Sequence, residues 1–273
     1  MIITPKQPRD GKTVSRLGKL VPYMLRGKGE ERCTWYMAGN LEGLDRRLIE
    51  ALLDRADGFL RPGGALPARS DALAGRTVTN LFFEPSTRTR LSFESAWHRL
   101  GGDIMSITDP TTTGIAKGES YRDIAEMLSG YGDVVVLRDN NGAAIYEMMK
   151  SLRIPIINAG NGTDEHPTQA LADMYTIFKW RPALLQATVA GQDRIRIGII
   201  GVPGEMRTVR SLLLFLSLVP QAIEEVVVIC NSDDAFSPGQ REELEERGLR
   251  LRVTPDMQTE LPALDVVYIN AIV

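Results

Sequence analysis

Residues 77–107 read TVTNLFFEPSTRTRLSFESAWHRLGGDIMSI. A β-rich run at 77–83 is cut by Glu84 and Pro85, a helix-like pattern follows at 88–100, and a second β-rich run closes the unit at 103–107. Pro85 biases Glu84 away from helical geometry, which ends the strand there. Ser86 or Thr87 can then cap the helix. Phe93, Ala96, Trp97 and Leu100 recur at helical spacing and are expected to face the core.

The same alternation continues outward. Further β-rich runs lie at 133–138, 155–159, 196–201, 225–230 and 265–270, with helices expected at 119–130, 142–152, 167–180, 207–218 and 238–247. Several of the runs are continuously apolar, as strands buried on both faces are. Strand, helix, strand repeated in this way predicts an α/β protein with parallel sheets flanked by helices. The stretch KWRPALLQATVAGQDR (179–194) breaks the alternation with a proline, a glycine and charges. Two domains are therefore expected: 35–182 and 183–273, after a basic N-terminal extension at 1–34.

Composition narrows the class. The chain has 273 residues, 43% hydrophobic, with 32 Lys plus Arg against 35 Asp plus Glu and a net charge of −3. That length supplies sizeable cores, and the balance points to neither nucleic acid nor an anionic membrane as a partner. Cys33 and Cys230 lack metal-ligand spacing and form no disulfide framework, so a reducing compartment, the cytoplasm, is expected. No run of about 18 apolar residues occurs. The first 32 residues are basic without the apolar segment that a secretory signal requires. They read as an arm that packs on a neighbouring subunit, with an organellar transit peptide as the alternative.

The opening stretch places Ser86, Thr87, Arg88, Thr89 and Arg90 at one chain reversal. A helix start leaves backbone amides unpaired and carries positive partial charge, which makes it a natural anion site. Hydroxyl donors and a guanidinium able to grip phosphate with paired hydrogen bonds make phosphate the best-suited ligand. The other reading is a well-capped helix with solvated arginines. TDPTTTGIAKGESYRDIAEML (108–128) combines three threonines, glycines and Lys117. That is the composition of a lid that carries a cation onto a ligand, or of a plain surface loop.

Two more candidates follow strands, where open α/β folds bind ligands. Arg138 ends DVVVLR, and His166 precedes the helix begun by Pro167. Of the two histidines, His98 belongs to the amphipathic helix and reads as structural, whereas His166 suits a neutral donor or general acid, or else caps and packs. In RIGIIGVPGEMRTVRSL (196–212) the glycine spacing is GxxGxxG rather than the dinucleotide fingerprint. Arg207 can instead meet a carboxylate.

Together FFEPSTRTRLSFE, KGES (117–120) and HPTQALAD (166–173) resemble the aspartate and ornithine carbamoyltransferase family, from about Trp35 to Tyr268. KGE after the loop and RTVRSL at 207–212 are similar to its aspartate branch. The resemblance implies carbamoyl transfer from carbamoyl phosphate to an amine, L-aspartate in that branch, in pyrimidine biosynthesis and without metal or organic cofactor. It implies that Ser86, Thr87, Arg88 and Thr89 hold the phosphate with Arg138 assisting, and that His166 and Gln169 contact the carbamoyl group. Lys117 and Thr113 would reach the neighbouring subunit's active site in a homotrimer, and Arg207 would bind a carboxylate of the acceptor. A regulatory subunit is compatible with the resemblance.

Two departures accompany it. Val202 stands where the branch has an acidic residue, and Ala271 where it has a second acceptor-binding arginine. Family elements beyond position 273 are also missing from the sequence, so the second domain is expected to be C-terminally incomplete. These departures keep open a different amine acceptor, or an impaired homologue acting as a binding or assembly subunit.

Overall fold

The computed structural model describes residues 36–37, 46–59, 70–232 and 234–269. The basic extension at 1–34 and Ala271 lie outside the described residues. The chain divides into two compact units, residues 1–162 and 163–273.

The first unit is built on a parallel sheet of β1 (Tyr36–Met37), β2 (Thr77–Phe82), β3 (Asp103–Ile107), β4 (Val134–Asp139) and β5 (Ile156–Asn161), in the order β1-β5-β4-β2-β3. Its helices are α1 (Arg46–Asp57), α2 (Thr87–Arg99), α3 (Tyr121–Tyr131) and α4 (Ala144–Met149). All six residues of β4 and of β5 are buried, which accounts for the apolar runs Val134–Leu137 and Ile156–Ile157 at their starts.

Alternate residues of each strand face different helices. Val78, Phe82, Val134 and Val136 pack with Phe93 and Trp97 of α2, while Leu81, Val135 and Leu137 pack with Ile124 and Leu128 of α3 and Ile145 and Met148 of α4. Trp97 is buried, and its indole nitrogen donates to the Arg76 carbonyl at 3.3 Å. A side chain at Gly102 would collide with that indole at 2.1 Å. One of the four expected core residues is corrected: Ala96 is exposed, because the helix meets one sheet face along the narrower Phe93–Trp97 stripe, while half-buried Leu100 packs against the same cluster as expected. His98 is exposed in the last turn, where a cation is favoured by the helix dipole.

The second unit holds α5 (Pro167–Trp180), β6 (Ile195–Ile200), α6 (Arg207–Leu216), β7 (Ile223–Ile229), α7 (Gln240–Glu246), β8 (Leu251–Thr254), α8 (Met257–Glu260) and β9 (Val266–Ile269). Its parallel sheet has the order β8-β7-β6-β9. Strand β8 is a finding rather than an expectation, since LRVT is only four residues long and half charged or polar. It is held by charge. Arg252 donates to both Glu225 on β7 (3.1 and 3.2 Å) and Glu260 on α8 (2.7 and 2.8 Å), and Arg196 on β6 donates to Glu225 at 3.0 Å.

The Arg252 guanidinium holds the carboxyls of Glu225 and Glu260 below their ordinary value of 4.5. Carboxylates with depressed values stabilise the fold above that value, and the contribution is lost as pH falls through the folded one. Urea unfolding at a series of pH values is expected to show stability falling as pH drops below about 4.5, with a shallower fall in Arg252→Gln. An unchanged acid limb in that variant would mean the cluster contributes nothing.

Candidate active site

The carboxyl ends of β2 and β4 meet through their backbones. Phe83 and Glu84 both donate their amides to the Arg138 carbonyl, at 2.9 and 3.4 Å. The Arg138 side chain, 8% exposed, turns back across this junction. It donates to the Ala159 carbonyl at 3.3 Å and to the Glu84 carboxylate at 2.5 Å. A guanidinium this buried requires such a counter-charge. Sequence reading marked Glu84 only as the end of a strand; the 54-residue separation of the pair left no local signal.

Just beyond Pro85, Ser86 holds the N-cap position of α2 with extended backbone, and its hydroxyl makes no capping bond. The expected hydroxyl cap is thereby corrected: Ser86 holds the cap position by its backbone conformation alone. Thr87 and Arg88 are exposed and Thr89 is half-buried. Arg90, the fifth residue of the cluster, turns along the helix to Glu94 at 3.5 Å, and Glu94 in turn accepts from Ser106 on β3 at 2.9 Å. The anion-suited group of the first unit is therefore Ser86–Thr89 with Arg138.

Residues 109–120 form two short turns. Asp109 accepts from the Thr111 amide and hydroxyl at 2.8 and 2.6 Å. Thr113 donates its hydroxyl to the Pro110 carbonyl at 2.7 Å and accepts the Ile115 amide at 3.3 Å, so this side chain is engaged inside the segment. Lys117 ends the second turn, Gly114–Lys117, and is exposed. Gly118 follows at φ 88°, a left-handed conformation that glycine adopts without strain.

In the second unit, α5 and α6 pack together through their starts. His166 is the N-cap residue of α5, 5% exposed, and its backbone amide donates to the Ser211 hydroxyl of α6 at 2.9 Å. Arg207 is the first residue of α6, one turn before Ser211, and is half-buried. Gln169, one turn into α5, donates to Asp173 at 2.9 Å. Burial pushes the Asp173 carboxyl up from its ordinary value, opposed by hydrogen bonds from Gln169 and Tyr268. Tyr268 of β9 is also raised by burial and bonds Thr208 of α6. A chain of polar contacts, Gln169–Asp173–Tyr268–Thr208, thus fixes three elements around the two helix starts. No local pattern announces it, since its members, from Gln169 to Tyr268, are far apart in the chain.

The glycines of 196–212 serve packing. A side chain at Gly204 would lie 2.7 Å from the Ser237 amide, and the Gly204 amide donates to the Ala235 carbonyl at 2.9 Å. Val202 caps the short turn Pro203–Glu205 without a side-chain bond. Among the described residues no group of three or more His, Cys, Asp or Glu side chains converges as metal ligands do, and no helix is long and apolar enough to cross a membrane.

Residues 39–179 match the family model described as aspartate/ornithine carbamoyltransferase, carbamoyl-P binding domain. The chain is 36% identical over 230 residues to the aspartate carbamoyltransferase catalytic subunit of Thermococcus gammatolerans, covering 84% of this chain and 69% of that one. It is 35% identical over 229 residues to the corresponding subunit of Cellvibrio japonicus, covering 84% and 66%. The chain spans about two thirds of the length of these curated relatives. Its fold is similar to that of aspartate transcarbamoylase from Trypanosoma cruzi in complex with carbamoyl phosphate, with a TM-score of 0.74 and 32% identity over 93% of this chain and 74% of that one. The same enzyme in complex with N-(phosphonacetyl)-L-aspartic acid gives 0.74 and 32%, over 93% and 75%.

Glu84 places a negative charge beside the anion-suited group. Replacing it by an uncharged isostere removes a repulsion that, at contact distance near a surface, is worth a few kcal/mol at most. Glu84→Gln is expected to bind inorganic phosphate about ten-fold more tightly in calorimetry. Unchanged or weaker binding would place the anion away from the β2–β4 junction.

Proposed function

The chain belongs to the aspartate/ornithine carbamoyltransferase family, and from that premise we propose that it transfers the carbamoyl group of carbamoyl phosphate to the amino group of L-aspartate. The products are N-carbamoyl-L-aspartate and phosphate. The observation that carries this reading is the α2 start: Ser86, whose hydroxyl leaves its own helix uncapped, followed by exposed Thr87 and Arg88, in the unit that contains Arg138. Aspartate as acceptor is supported by the names of the relatives and by Arg207 at the head of α6. On this reading residues 35–182 form the carbamoyl phosphate domain and 183–273 the acceptor domain, so α5, which is grouped with the second compact unit by its packing on α6, serves the carbamoyl phosphate domain in function.

The amine nitrogen attacks the carbamoyl carbon, the carbonyl oxygen gains negative charge, the carbon–oxygen bond to phosphate breaks, and the amine loses a proton. Fixed donors aimed at that oxygen stabilise the charge as it develops. Buried His166, held at its backbone by Ser211, fits this role with Gln169 beside it on the same helix start. Ser86, Thr87, Arg88 and Thr89, with Arg138, receive the departing phosphate. Lys117, and Thr113 through the turn it holds together, reach the active site of a neighbouring subunit. The assembly is then a homotrimer in the cytoplasm that acts in pyrimidine synthesis. The exposed apolar side chains Met105 on edge strand β3 and Met127 and Tyr131 on α3 fit such an association.

Val202 favours a second reading, a different amine acceptor, because its side chain offers neither a charge nor a hydrogen bond where the aspartate branch carries an acid. Incubating the chain with carbamoyl phosphate and a panel of amino acids separates the two: turnover with aspartate supports the first reading, turnover only with another amine the second. Arg88→Ala and His166→Ala are each expected to lower turnover by about a hundred-fold or more. Each variant alone stays inactive, and mixing Lys117→Ala with Arg88→Ala subunits restores part of the activity through hybrid sites. Full activity in either single variant, or no rescue on mixing, contradicts the assignment.

A further inference from the structure

Arg138 and Asp139 are adjacent on β4 and point to opposite faces of the sheet. Arg138 serves the α2 face, as described above. Asp139, 5% exposed, serves the other. Its Oδ2 accepts the Tyr121 hydroxyl at 2.7 Å, its Oδ1 accepts the Asn141 amide at 2.8 Å, and its backbone carbonyl accepts the Gly162 amide at 2.8 Å. Neither Tyr121 nor Asp139 has a place in the chemistry proposed so far.

Tyr121 opens α3 immediately after the Lys117 turn. Residues 109–120 bond among themselves and to Asp123: Gly118 and Glu119 donate to Ile115 and Gly114 at 3.0 Å each, and Ser120 and Asp123 form a reciprocal capping box. These bonds shape the segment but do not fix it to the sheet. Among residues 109–121, the side-chain hydrogen bond that leaves the segment for the sheet is Tyr121 to Asp139. Ile115 and Tyr121 add apolar contact with the core beneath α3 and α4. Tyr121 lies four positions after Lys117, so their Cα atoms lie within about 14 Å of each other even if fully extended.

We propose that Tyr121 and Asp139 are positioning residues: their hydrogen bond tethers the 109–120 segment to the carboxyl end of β4 and thereby sets where Lys117 is presented. The inference rests on the role given to Lys117 above. It makes one strand end responsible for both cations, Arg138 directly and Lys117 through the tyrosine. Burial and the Asp139 carboxylate push the Tyr121 hydroxyl up to about 12, so it keeps its proton and remains the donor throughout the physiological range. Gly118, whose Cβ position meets nothing within 4 Å, is the point about which the turn would swing once released.

Tyr121→Phe keeps the ring in the core and deletes only the donor; Asp139→Asn is the reciprocal test from the acceptor side. Amide hydrogen exchange in the full chain is expected to accelerate at least about ten-fold over 114–120 in Tyr121→Phe, with β4 and the middle of α3 unchanged. In a double-mutant cycle on kcat/KM for carbamoyl phosphate, Tyr121→Phe is expected to cost about ten-fold in the native background and nothing further once Lys117 is alanine. Unchanged exchange over 114–120 in both variants overturns the tether. Additive losses in the cycle overturn the positioning role, because a purely structural bond would weaken the Lys117→Ala protein as well. If Lys117→Ala alone leaves turnover intact, the functional reading of the lysine falls, and the positioning role falls with it.

Discussion

A guanidinium buried at the end of a buried strand has to be matched by charge, and in this protein that requirement organises the first unit. Arg138 cannot leave the β2–β4 junction, because its own carbonyl accepts the two amides that follow β2. Its partner must come from the segment leaving β2, and Glu84 supplies it. Pro85 then turns the chain, so the hydroxyl and guanidinium donors of α2 emerge beside the same strand ends. A parallel sheet adds that all such ends lie on one edge, which is where open α/β folds place ligands.

The opposite face of β4 repeats the logic with different chemistry. Asp139 is as buried as Arg138 and is matched by hydrogen bonds from Tyr121 and from the Asn141 amide rather than by a cation. Two adjacent residues of opposite charge therefore tie the helix starts on both faces to one strand. At its helix starts the second unit uses neutral and singly charged contacts, with Ser211 holding the His166 backbone and Asp173 joining Gln169 to Tyr268.

Periodicity made most of the fold legible. Strands at 77–82, 134–139 and 195–200 announced themselves because burial on both faces favours runs rich in β-branched and apolar residues. The helix start at Ser86–Thr87 was legible because a helix start after a proline turn is a local event. What escaped sequence reading depends on partners distant in the chain. Strand β8 is held by Arg252 reaching Glu225 and Glu260, so its own four residues carry little β signal. Ala96 reads as core by spacing yet is exposed, because the width of the packed stripe is set by the sheet and not by the helix. Glu84, Tyr121, Asp139 and Asp173 gain their roles only when strands and helices from different parts of the chain meet.

Arg138, matched by Glu84, is expected to meet a second anion when the phosphate of carbamoyl phosphate binds. A crystal structure of the chain soaked with carbamoyl phosphate tests this most directly. The phosphate oxygens are expected on the amides and hydroxyls of Ser86–Thr89, within hydrogen-bond distance of Arg88 and Arg138. A ligand bound elsewhere, with Arg138 still facing Glu84 alone, would contradict it.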